Sequence, residues 1–169
     1  MDYAAPAGTR VGHIHLRVSD IDRAIAFYRD VLGFELQQRY GPQAAFLSAG
    51  GYHHHIGLNT WDSLHGTPPP RGHTGLFHVA FVYPTRADLG RAIDRVVSSG
   101  VSLEGAADHG VSQAVYFNDP DGNGIELYWD RPGAYWPRNA QGDLNITNSR
   151  LDVAALIELG RHESESMDA

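Results

Sequence analysis

The chain is 169 residues long, 42% hydrophobic, with net charge −7, no cysteine and ten histidines; that length fits one domain or two small half-domains sharing a core. The acidic balance argues against a nucleic-acid surface, which needs clustered Lys and Arg, and no apolar run reaches the roughly 18 to 20 residues of a membrane helix. Without cysteine there is no disulfide framework or thiolate chemistry, which suits a cytoplasmic protein.

Residues 1–9, within MDYAAPAGTR, lack the basic and apolar regions of a signal peptide and read as a flexible start. From there the chain repeats itself. GHIHLRVSDIDRAI (12–25) and FHVAFVYPTRADLGRAI (77–93) each set a His near the start of an alternating strand, then a helix-start signal, then RAI. His13 and His78 are 65 positions apart, and Arg23 and Arg91 are 68 apart.

In the first module (10–62), Ile14, Leu16 and Val18 alternate with His13, His15 and Arg17, the pattern of a half-buried strand. Ser19 with Asp22 reads as a capping box, and Ile21, Ile25, Tyr28 and Leu32 form a helical stripe ended by Gly33. FELQQRY (34–40), AAFLSAG (44–50) and the segment with His53, His54 and His55 read as three further strands. SLHGTPPPRGHTG (63–75) is a loop-like linker; its His65 and His73 read as solvated.

The second module (75–136) repeats the plan. Thr85 and Asp88 form the cap, Leu89, Ile93 and Val96 the stripe, and Gly100 the stop. VSLEGA (101–106), QAVYFND (113–119) and GIELYWD (124–130) follow as strands, with a tight turn at DPDGNG. The expected fold is α+β: two tandem βαβββ modules forming an incomplete β-barrel with the helices outside, in one domain spanning 10–136. The extension 137–169 should add a short helix at LDVAALIELG (151–160) and a disordered end, RHESESMDA.

Strand parity sorts the polar residues. Where Ile14, Leu16, Val79, Phe81, Ile125, Leu127 and Trp129 face the helices, His13, His15, His78 and Glu126 face away from them. Two imidazoles and a carboxylate make the facial triad that suits non-haem Fe(II) and leaves three positions open. Taken singly, each of these residues also fits a half-exposed polar position on an open sheet face.

GHIHLRVSDIDRAIAFYRDVLGFEL resembles the opening module of the vicinal oxygen chelate superfamily, and YFNDPDGNGIELYWD its closing strand pair. That superfamily includes glyoxalase I, bleomycin-resistance proteins, fosfomycin-resistance enzymes and type I extradiol dioxygenases. The resemblance implies a metal held by His13, His78 and Glu126. Details favour the extradiol enzymes, which carry an active-site Tyr ten residues before the Glu, as Tyr116 is here. They also carry an upstream His, matched by His109, and a His on the fourth strand of the first module, matched by His54. A shift of one residue would make that His55.

The implied function is cleavage of a catechol-type aromatic diol by O₂, with Fe(II), or alternatively Mn(II), as cofactor. His54 would be the acid–base group, with Tyr116 and His109 binding substrate. The usual assembly of similar proteins is a homodimer. A glyoxalase-like lyase would need an acid between Gly50 and Thr60, which the chain lacks. A fosfomycin-type transferase would need a cationic pocket, which a Lys-free sequence does not favour, and a drug-binding module would not need the three ligands.

Overall fold

The computed structural model describes residues 3–167, the last four by backbone only. It divides into two compact units, Met1–Thr67 and Pro68–Ala169. Each contains one four-stranded sheet.

In the first unit the elements are β1 (Ile14–Arg17), α1 (Ile21–Ala26), β2 (Glu35–Tyr40), β3 (Ala44–Ser48) and β4 (Ile56–Asn59), with sheet order β1-β4-β3-β2. β1 runs parallel to β4, and the other neighbours are antiparallel. Leu16 and Val18 are buried while His13, His15 and Arg17 are exposed, as the alternation requires. The helix cap differs from expectation: Asp20, not Ser19, accepts the N–H groups of Asp22 and Arg23 at 2.9 and 3.0 Å. The reason is position, since Asp20 is the extended residue directly before the first helical turn. Ser19 instead accepts from the Arg23 guanidinium at 2.7 Å.

α1 then widens into a π-helical turn, Phe27–Val31, where the Leu32 N–H reaches back five residues to the Phe27 carbonyl. The extra residue lets Phe27 and Tyr28 both turn inward, packed edge to face at 5.3 Å. With Ile21, Ile25, Leu32, Leu47, Ile56 and Leu58 they make the core, each such side chain contributing about 1.5 to 3 kcal/mol by burial. Gly33 ends the segment at φ 80°.

The second unit repeats the topology with β5 (Val79–Val82), α2 (Arg86–Ser98), β6 (Gly105–Asp108), β7 (Ser112–Asn118) and β8 (Gly124–Asp130), in sheet order β5-β8-β7-β6. Thr85 caps α2 by accepting the Asp88 N–H at 3.0 Å, as the sequence predicts. Leu89, Ile93 and Val96 pack with Phe117, Ile125 and Leu127 in the core. The strand expected at 101–106 lies later, because the ladder partners Gln113–Tyr116 align with residues 105–108. Neither sheet closes on itself; β1 and β2 are the edges of one, β5 and β6 of the other.

The C-terminal segment also departs from expectation. α3 runs through Val153–Met167, so most of RHESESMDA is helical, and its last two residues lie outside the described residues. α3 crosses α2 at two glycines. A Cβ on Gly90 would stand 2.0 Å from the Leu156 carbonyl oxygen, and one on Gly160 2.5 Å from the Arg91 nitrogen. Arg161 then grips Asp94 through two hydrogen bonds of 2.9 and 2.6 Å. Close backbone contact and a forked ion pair hold a helix that the sequence predicts over 151–160 and that runs on into the segment expected to be disordered. Among the described residues no helix is long and apolar enough to cross a membrane.

Candidate metal-binding and acid–base site

The register of the second sheet puts Ala80, Glu126, Tyr116 and Gly105 in one row across four strands. Their side chains share a face, opposite the buried Ile125 and Leu127. His78, two residues before Ala80, projects to the same side, and its Nε2 lies 3.0 Å from Glu126 Oε2. The Tyr116 hydroxyl donates to Glu126 Oε1 at 3.1 Å, and His109 Nε2 lies 2.8 Å from that hydroxyl. His78, Glu126, Tyr116 and His109 therefore form one continuous polar chain within this unit.

The Tyr116 phenol is pushed up to about 12 by partial burial, then by the Glu126 charge and its hydrogen bond to that carboxylate. At neutral pH it stays protonated and works as a donor. Beneath this chain, burial alone would raise the Asp108 carboxyl. The Gln113 amide at 2.8 Å, the Gly110 N–H at 2.8 Å and Arg131 at 2.5 Å together hold it below the usual carboxylate range.

The equivalent row of the first sheet is His15, Gly57, Phe46 and Gln38. Counterpart by counterpart, Gly57 stands where Glu126 does and Phe46 where Tyr116 does. The exchange is physical as well as topological: the His15 ring fills the space, so that a Cβ on Gly57 would meet it at 2.9 Å. His15 lies 6.1 Å from Phe46 and 5.6 Å from Trp61, ring centre to ring centre. The two units thus share a backbone plan, but only the second carries the carboxylate and the phenol in its row.

His53, His54 and His55 precede β4 rather than lying on it, so the strand alternation expected for them does not apply. The chain bends there because it must turn from β3 into β4, with the Leu47 carbonyl taking the His55 N–H at 2.9 Å. His54 is half-buried against His13, Phe46 and His53, at ring separations of 4.5, 5.0 and 4.6 Å. Its Nδ1 lies 2.8 Å from that of His53. Burial first, then the neighbouring imidazoles of His13, His53, His15 and His55, hold His54 below the ordinary imidazole range. His55 packs on Tyr52 at 4.7 Å and accepts the Ala49 N–H at 3.3 Å, a structural role.

The predicted site residues thus fall into two groups: His13 with His54 in the first unit, and His78, His109, Tyr116 and Glu126 in the second. Among the described residues no three His, Asp or Glu side chains are gathered for a metal ion. His78 and Glu126 nevertheless fit one. Adjacent donors bonded at about 2.1 Å and at right angles stand about 3 Å apart, and these two donor atoms are 3.0 Å apart. Sequence reasoning missed the Thr147 carbonyl, which lies 3.1 Å from His109 Nδ1; a backbone oxygen 38 residues away leaves no side-chain signature.

The family model for the Glyoxalase/Bleomycin resistance protein/Dioxygenase superfamily matches residues 10–127. A catechol-2,3-dioxygenase of Bacillus subtilis (strain 168) is 37% identical over 150 residues, covering 89% of this chain and 52% of that protein. Biphenyl-2,3-diol 1,2-dioxygenase 3 of Rhodococcus globerulus is 32% identical over 123 residues, covering 72% of this chain and 63% of that protein. The chain therefore spans about half to under two thirds of these relatives' length. In fold it is similar to a crystal structure of a glyoxalase/dioxygenase from Nostoc punctiforme, with TM-score 0.62 and 21% identity over 78% of this chain and 99% of that one. On its βαβββ repeat and the matched stretch, this chain belongs to the glyoxalase/bleomycin resistance protein/dioxygenase superfamily.

Proposed function

We propose that the chain is a metal-dependent extradiol dioxygenase that opens a catechol-type aromatic ring with O₂. The observation that carries this reading is the polar chain from His78 through Glu126 and Tyr116 to His109, in which two metal donors adjoin a neutral phenol and an imidazole. Similarity to a catechol dioxygenase over most of the chain supports the same substrate class.

His78 and Glu126 would hold the metal, with His13 as third ligand because it is the repeat counterpart of His78, one residue before its strand. Iron(II), or alternatively Mn(II), would supply charge stabilisation for a diolate and an electronic path between diol and O₂. The chain's own residues handle orientation and protons. Tyr116, protonated at neutral pH, donates a hydrogen bond to a substrate oxygen. His109, whose Nε2 lies 2.8 Å from the Tyr116 hydroxyl, would hydrogen-bond the substrate beside it.

His54, held below the ordinary imidazole range, rests neutral near pH 7 and so enters as a base. All atoms of the diol and O₂ are kept in a ring-opened product, so a proton taken at the start has to be returned. An imidazole does both. Phe46 beside it, and Trp61 beside His15, add apolar aromatic surface in the first unit, which suits an uncharged ring.

Metal analysis of freshly purified protein tests this reading. Iron or manganese near one per chain supports it; zinc or nickel favours a lyase, and no metal a sequestering module.

A further inference from the structure

The connection from β3 to β4 holds three imidazoles, and ring opening as described above uses one of them. Gly50 and Gly51, at φ 64° and 73°, turn the chain, and the Tyr52 ring then lies against two of the histidines. Its centre is 4.1 Å from that of His53 and 4.7 Å from that of His55, at tilts of 34° and 31°. His55 is tied twice, by its N–H to the Leu47 carbonyl and by the Ala49 N–H to its Nδ1. His54 packs against Phe46 and His13. His53 and His54 are thus each supported by other rings, and their Nδ1 atoms meet at 2.8 Å, with His53 exposed to solvent.

The two rings converge rather than point at each other. At that nitrogen separation, imidazoles aimed along one line would have centres about 5.1 Å apart. Imidazoles bonded to one cation at about 2.1 Å and at right angles have donors about 3 Å apart and centres about 4.6 Å apart. The His53 and His54 ring centres stand 4.6 Å apart, tilted by 60°. We propose that His53 and His54 form a second metal site, a two-imidazole chelate for zinc(II) with water in its other positions, whose filling stops ring cleavage.

The ligand set selects the cation. Imidazole suits zinc, whereas Mn(II) and Fe(II) lie lower in the affinity order of divalent metals. With two neutral ligands and no carboxylate the site holds its ion loosely and exchanges it with the surroundings. Its effect on turnover rests on the dioxygenase reading, in which His54 moves the proton. Two bare nitrogens repel at 2.8 Å, so in the free chain one Nδ1 carries a hydrogen. On filling, both Nδ1 lone pairs go to zinc, and that hydrogen passes through water to Nε2 of its own ring. Two N–Zn bonds form, one Nδ1–H bond breaks and one Nε2–H bond forms, with no electron transferred. A neutral imidazole bound to metal at Nδ1 and protonated at Nε2 has no lone pair left to accept a proton.

The test is equilibrium dialysis of the full-length chain against Zn(II), metal-free and iron-loaded under anaerobic conditions, with bound zinc and retained iron counted and catechol turnover read on the loaded samples. The native chain should take up one more zinc per chain than His53→Gln in both forms, keep its iron, and lose turnover about 10²- to 10⁴-fold, the contribution of the acid–base group it ties up. Dialysis into zinc-free buffer should restore the rate. His53→Gln should turn over at close to the native rate and resist zinc, and His53→Cys, which supplies a zinc ligand again, should recover the uptake. Equal zinc uptake by the native and His53→Gln chains, or a native chain that gains the zinc at unchanged turnover, overturns the proposal. An extra zinc on a native chain that opens no diol even when iron-loaded and zinc-free overturns the dioxygenase reading instead, because uptake is counted without turnover.

Discussion

Tyr116 stands directly across the β7–β8 ladder from Glu126, and its hydroxyl donates to Oε1 at 3.1 Å. An antiparallel pair joined by a tight turn fixes both facts at once, since the register that aligns the residues also puts their side chains on one face. Removing the hydroxyl should leave the proposed metal donors in place but take one partner each from Glu126 and His109. Tyr116→Phe is expected to keep native metal content and lose about 10- to 100-fold in turnover, read by metal analysis and steady-state rates on the same sample.

Glu126 is the one anion of the proposed ligand set. Glu126→Gln preserves shape while leaving neutral ligands for a dication, so metal content after dialysis should fall well below that of the native chain. Full retention would put the metal elsewhere.

The crossing of α2 and α3 makes a stability prediction independent of the site. A methyl on Gly90 would stand 2.0 Å from the Leu156 carbonyl oxygen, and a helix backbone cannot yield there without lifting α3. Gly90→Ala gains helix propensity of about 1 kcal/mol but should be net destabilising, at the upper end of the roughly 1 to 3 kcal/mol typical of overpacking or beyond it. Urea unfolding checks it; a more stable variant would mean that α3 does not dock as described.

Asp108 sets an acid limit. Its carboxyl is held below the usual range in the folded chain, so its contribution to stability is present above the unfolded value and is lost as pH falls through the folded one. Asp108→Asn should cost about 1 to 2 kcal/mol near pH 7, since its partner Arg131 is 32% exposed and water screens the pair. The difference from the native chain should shrink below about pH 4, where the unfolded carboxylate itself protonates. Unfolding midpoints at several pH values between neutrality and pH 3 measure this.

What could be read in the sequence was what periodicity controls. The repeat, the alternation of His13, His15, His78 and Glu126 against apolar partners, and the ten-residue spacing from Tyr116 to Glu126 all follow from strand pairing. What could not be read depends on local or distant backbone. The cap moved to Asp20 because two N–H groups point at its carboxylate. The three consecutive histidines left the strand because the β3–β4 connection bends there. The helix runs on into the C-terminal tail because Gly90 and Asp94 of α2 receive Gly160 and Arg161 of α3. The exchange of Glu126 for Gly57 was half legible: the missing acid shows in the sequence, but not the His15 ring that fills its place.

The most direct test of the central claim is the fate of O₂. The native chain, loaded anaerobically with Fe(II) and given catechol under ¹⁸O-labelled oxygen, should form a yellow ring-opened semialdehyde. Mass spectrometry before solvent exchange at its carbonyl should find both label atoms in the product. His54→Phe, with metal content unchanged, should form it about 10²- to 10⁴-fold more slowly, the contribution of a positioned acid–base group. An iron-loaded native chain that opens no catechol in a panel of simple and bicyclic diols, or that incorporates no label, would contradict the account.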